Sequence, residues 1–93
     1  MGIAKHLRIE GRVQGVGFRL QMQSRARELG LAGWVRNRGD GSVEAVVYAE
    51  HMQEIDAIIN WARSGVRLAN VTNIEISEAE IPTQDDFTIL PND

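Results

Sequence analysis

The order in which two hydrophobic periods alternate along the chain constrains the fold most. In KHLRIEG, Leu7 and Ile9 face one way while His6, Arg8 and Glu10 face the other, the two-residue period of a strand with one buried face. In FRLQMQSRAREL the period changes. Phe18, Met22, Ala26 and Leu29 recur every three or four residues, one face of a helix, and Gly30 supplies a stop. LAGWVRN predicts a second strand and SVEAVVYA a third, with Val43, Ala45 and Val47 on one face. The polar, glycine-bearing RGDG between them predicts a hairpin turn. HMQEIDAIINWARSG returns to the helical period through Met52, Ile55, Ile59 and Ala62. VTNIEISEAE is a fourth strand with Ile74 and Ile76 together, and DDFTIL is a short fifth piece beyond Pro82.

The resulting order, β-α-β-β-α-β, is the split motif of α+β, ferredoxin-like sandwiches. Two helices would cover one face of an antiparallel sheet, with the first and third strands central. Ninety-three residues suit a single domain spanning 1–93. The fold serves many functions, so the chemistry must come from particular residues.

Composition removes several classes of function. The absence of cysteine excludes disulfides, thiol catalysis and thiolate zinc sites. No apolar run approaches a membrane span, and the N-terminal MGIAKHLRIEG lacks the apolar stretch of a signal peptide. A cytoplasmic monomer is therefore expected. The formal net charge is −3, with basic residues concentrated in the first forty positions and acidic ones in the rest. That overall acidity argues against nucleic-acid binding through bulk charge, yet it leaves room for a small anion at a local basic point.

Such a point is GRVQGVGFR, residues 11 to 19, between the first strand and the first helix. Free N–H groups at a helix start, and successive N–H groups in a turning loop, attract anions. Arg19 could close such a cradle with charge-assisted bonds. The stretch is not a P-loop, because no G-K-[ST] follows. Nor is it a dinucleotide fingerprint, because Leu20 stands where the last glycine belongs. A plain mobile connection is the competing reading. Asn37, just before the hairpin turn, has two readings as well: a turn-maker bonded to nearby backbone, or an amide that holds a water.

Both segments resemble motifs of the acylphosphatase family. GRVQGVGFR is similar to its signature, and GWVRNRGDGSV, residues 33 to 43, to its second motif, in the same order and separation. The resemblance covers nearly the whole chain. It implies a ferredoxin-like fold and hydrolysis of the carboxyl-phosphate bond of acyl phosphates, with neither metal nor other cofactor. The partners it implies are a small-molecule acyl phosphate and inorganic phosphate as product, with no nucleic acid or membrane. It also implies a phosphate loop on Arg12, Val13, Gln14, Gly15, Val16, Gly17 and Phe18, a phosphate-binding arginine at Arg19 and a water-orienting asparagine at Asn37. One departure is Ala49, where the family usually has glycine. If that position needs a positive φ, the cost is about 1 kcal/mol or more.

Other residues have ordinary expectations. His6 and His51 lack neighbouring metal ligands, and Trp34 and Trp61 read as packing residues, with Trp34 near the site rim through its closeness to Asn37. Arg36 and Arg38 read as solvent-exposed, with a possible role in attracting anions. Asp40 shapes the turn. The rival functions are a non-catalytic anion-binding module on the same fold and an RNA-binding sheet, which the few scattered aromatics disfavour.

Overall fold

The computed structural model describes residues 2–93. The elements are β1 (Ile3–Arg12), α1 (Phe18–Glu28), β2 (Ala32–Asn37), β3 (Val43–Ala49), α2 (Met52–Ser64), β4 (Asn70–Glu78) and β5 (Phe87–Ile89). They form one sheet in the order β4-β1-β3-β2-β5, so β1 and β3 are interior as the split motif requires. The β1–β3, β1–β4 and β2–β3 pairings are antiparallel. The short β5 adds a parallel edge to β2, pairing Val35 with Ile89.

Strand alternation and helix stripes meet in one core. Leu7 and Ile9 of β1 and Val43, Ala45 and Val47 of β3 are fully buried, and they pack with Phe18, Met22 and Ala26 of α1. Each fully buried Val, Leu, Ile, Phe or Met among them contributes roughly 1.5–3 kcal/mol. The second helix corrects the expected stripe. Its buried residues are Ile55, Ile58, Ile59 and Ala62, whereas Met52 in its first turn is exposed. A helix over a sheet buries a band broader than a single i, i+3, i+4 row, so Ile58 joins it. Ile76 also differs from Ile74: it lies on the edge strand β4 and is exposed.

The first helix closes where Gly30 predicts. The amide of Leu31 donates to the Ala26 carbonyl at 2.9 Å and that of Gly30 to Arg27 at 3.1 Å, the paired bonds of a Schellman ending. Ala49 is not strained. It is an extended residue of β3 opposite Ile3, buried in the core, and Leu68 is the sole non-glycine with positive φ among the described residues.

The charge imbalance between the two ends of the sequence disappears in the fold. Strands from both ends interleave, so Arg8 meets Glu75, Lys5 meets Glu78 and Arg27 meets Asp86. Among the described residues, no helix is long and apolar enough to cross a membrane.

Candidate active site

A β-bulge between Glu10 and Gly11 ends the regular register of β1 and releases the chain into the glycine-rich loop. Gly15 and Gly17 both have φ +76°, a left-handed conformation that side-chain-bearing residues adopt at a cost. Gly17 is also the N-cap of α1, and no side chain caps that end. The first intrahelical bond there runs from the Gln21 amide to the Gly17 carbonyl at 3.0 Å. The preceding first-turn amides have no acceptor within the helix. No acidic residue occupies this turn, so the positive end of the helix dipole is not offset locally.

Two glutamines fix the loop. Gln14 Nε2 donates to the carbonyls of Arg38 at 2.8 Å and Ser42 at 2.9 Å, fastening the loop to the hairpin that follows Asn37. Gln21 Nε2 donates to the Val16 carbonyl at 3.1 Å. With such supports the stretch is a held loop and not a loose connection.

A cavity of about 340 Å³ opens beside it, lined by Val13, Gln14, Gly15, Gly17, Phe18, Arg19, Leu20, Asn37 and Ile89. Strand parity explains Asn37. It shares a face with Val35, whose side chain lies in the core under the helices, so it points to the helix side of the sheet. The side-chain bonds made within the turn itself come from Asp40, whose Oδ1 accepts from the Ser42 amide at 2.9 Å and from Ser42 Oγ at 2.6 Å. The turn is thus built without the Asn37 carboxamide. Of the loop residues expected at a phosphate site, Arg12 and Val16 do not line the cavity. Arg12 ends β1 opposite Asn70 on β4 and is exposed.

The structure adds residues that local patterns do not reveal. Arg19 Nη1 donates to Asn92 Oδ1 at 3.1 Å. The Leu90 amide donates to the Val35 carbonyl, and that of Asp93 to Asn37, both at 2.9 Å, so the segment after β5 runs beside β2 toward the cavity. No local sequence signal links positions 19 and 92.

The other face of the sheet carries a separate ionic cluster. Glu44, a buried acid on β3, accepts from Arg36 Nε at 2.7 Å and lies 3.2 Å from Arg38 Nη1 and 2.6 Å from His6 Nε2. Burial pushes its carboxyl up, but the hydrogen bonds from His6 and Arg36 outweigh that and hold it below the ordinary 4.5. Asp40 is held far lower by Arg8 and by the two Ser42 bonds. Arg36 and Arg38 are therefore engaged in ion pairs, contrary to simple solvent exposure. Trp34 lies with Arg36, whose guanidinium is 5.2 Å from its ring centre, on the face away from the cavity and not at its rim. Trp61 packs against Phe18 with ring centres 6.0 Å apart. Among the described residues, no group of three or more His, Cys, Asp or Glu side chains is placed to hold a metal ion.

Comparisons with known proteins bear on the chain as a whole. The acylphosphatase family model matches residues 5–89. An acylphosphatase of Thermococcus kodakarensis is 47% identical over 88 residues, covering 95% of this chain and 96% of that protein. Another from Thiobacillus denitrificans is 53% identical over 75 residues, covering 81% and 83%. The solved acylphosphatase of Bacillus subtilis superposes with a TM-score of 0.87 at 33% identity, covering 97% of this chain and 99% of that one. The chain belongs to the acylphosphatase family, and its activity is hydrolysis of acyl phosphates to a carboxylate and inorganic phosphate.

Proposed function

We propose that the loop from Arg12 to Phe18 and Arg19 hold the phosphoryl group, and that Asn37 orients the attacking water. The observation that carries this reading is the convergence of Gly15, Gly17, Arg19 and Asn37 on one cavity. Main-chain N–H groups of the loop and of the first turn of α1 donate to the phosphoryl oxygens. Arg19 adds two parallel donors and a fixed positive charge. These groups are in place before the reaction, so charge spread over the phosphoryl oxygens is stabilised without reorganisation. Arg12 opens this loop but does not line the cavity, so the phosphoryl contacts fall to the residues after it.

The Asn37 carboxamide can donate and accept at once, but it is no base. Its contribution is positional: water is held in line with the departing carboxylate. The water oxygen bonds to phosphorus as the bond to the acyl oxygen breaks. A phosphoryl oxygen of the substrate takes the proton. The carboxylate leaves with its electron pair and needs no strong acid to assist it. This chemistry asks for no metal, and the reading extends to a single domain over 1–93 acting as a cytoplasmic monomer.

The test is phosphate release from a simple aromatic acyl phosphate, with and without a chelator, by the parent protein, Arg19→Ala and Asn37→Ala. Activity in the parent alone, insensitive to chelator, is expected. Normal turnover in Asn37→Ala defeats its assignment, and a strict metal requirement overturns the metal-free mechanism.

A further inference from the structure

A bound phosphoryl group accounts for the polar part of the cavity and leaves its apolar part unassigned. Val13 and Phe18 are buried and form its floor. Leu20 is different: it lines the same cavity but is 67% exposed. Ile89 of β5, half-buried, lines it too. The packing stripe of α1 runs through Phe18, Met22 and Ala26. Leu20 is two residues on from Phe18, roughly 200° around the helix, so it has no place in the core. A lone exposed leucine is ordinary on a protein surface. This one follows Arg19 directly and edges a cavity that Ile89 also lines.

The cavity volume of about 340 Å³ falls within the range of small-molecule pockets, roughly 300–1,000 Å³. It is larger than a phosphoryl group fills. In an acyl phosphate the acyl carbon is two bonds from phosphorus. Once Arg19 and the loop hold the phosphoryl end, the acyl group must lie against the cavity's remaining walls. We propose that Leu20 and Ile89 form an apolar shelf for the acyl group, and that Leu20 sets a preference for bulky apolar or aromatic acyl portions over short ones. Covering Leu20 removes apolar area from water in proportion to the acyl group's size. The contact does not change as the bond to phosphorus breaks, so it acts on KM more than on kcat. This inference rests on the assignment of the loop and Arg19 to the phosphoryl group.

The experiment compares benzoyl phosphate with acetyl phosphate in the parent protein, Leu20→Ala and Leu20→Gln. The readout is the ratio of the two kcat/KM values, with kcat and KM resolved for each. Leu20→Ala is expected to lower the benzoyl-to-acetyl ratio about five-fold or more, mainly by raising KM for benzoyl phosphate. Leu20→Gln, which keeps the length but ends in an amide, is expected to lower it as well. Thermal unfolding of both variants checks that the fold persists, as the exposure of Leu20 predicts. A ratio kept within two-fold of the parent in both variants overturns the shelf and leaves the phosphoryl assignment standing. A parent protein that turns over neither substrate refutes that assignment, and the shelf with it.

Discussion

Arg19 and Arg36 lie on opposite sides of one sheet, and they are held in different ways. Arg36 is bonded to the buried carboxylate of Glu44, which also meets Arg38 and His6. Arg19 is bonded to the neutral amide of Asn92, and no carboxylate among the described residues pairs with it. On the open face, charge is cancelled locally and serves the fold. Beside the cavity, charge is positioned but left uncancelled, next to a helix end whose amides also lack partners. The difference teaches where a sequence rich in arginine keeps a cation available for an anion. Number and sequence density of arginines do not decide it; carboxylate neighbours do.

The comparison is broken most severely at Arg19. Arg19→Ala is expected to reduce kcat/KM by about a thousand-fold, the scale of losing a preorganised charge donor, measured by phosphate release. Arg19→Lys keeps the charge without the fork and should remain strongly impaired. Asn37→Ala is expected to lower kcat by about a hundred-fold, while inorganic phosphate measured by calorimetry binds nearly as in the parent. A parallel loss of phosphate binding would merge the two roles proposed for Arg19 and Asn37.

On the open face the expected effect is on stability. Glu44→Ala leaves three cationic or titratable neighbours without their shared acceptor, and should cost about 1–3 kcal/mol in urea unfolding. Phosphate release per folded molecule should persist, because Glu44 faces away from the cavity. Acid sharpens the same contrast. Glu44, Asp40 and Asp86 all have folded-state carboxyls held below their ordinary values of 4.5, 3.8 and 3.8. For a lowered carboxyl, the unfolded state binds more protons as pH falls. The stabilisation is therefore complete above about pH 4.5 and is lost as pH drops through the folded values. Glu44→Gln should flatten that part of the stability profile, measured as Tm between pH 6 and 3. The smallest effect is expected at Asn92. Asn92→Ala frees one contact of an already charged Arg19 and should raise KM about two- to five-fold through poorer orientation.

Much of this contrast is invisible in local patterns. Arg36 and Arg38 read as solvated because they alternate with Val35 and Asn37 before the turn, yet Glu44 alternates to the same open face in β3. That becomes apparent only with the register that pairs Arg36 with Glu44. Trp34 sits three positions before Asn37, but opposite parity takes it to the other side of the sheet. Ile58 joins the expected stripe of α2 because a sheet-covering helix buries a wide band, whereas Met52, expected in that stripe, is exposed in the first turn. By contrast, Leu7, Ile9, Val43, Ala45 and Val47 reveal their burial through simple alternation, since a pleated strand leaves only two directions for a side chain.

The chain's alternating periods determined the elements, their order and the sheet they build, because strand and helix geometry impose distinct spacings on apolar residues. The motifs around Gly15, Gly17, Arg19 and Asn37 marked the residues of interest, because left-handed turns and anion contacts demand particular chemical types. Only the tertiary structure decided that those residues share a cavity with Leu20 and Ile89, that Asn92 reaches Arg19, and that Arg8, Arg36 and Arg38 are already paired with carboxylates. Those facts depend on strand register and on contacts between distant parts of the chain, which no local spacing encodes.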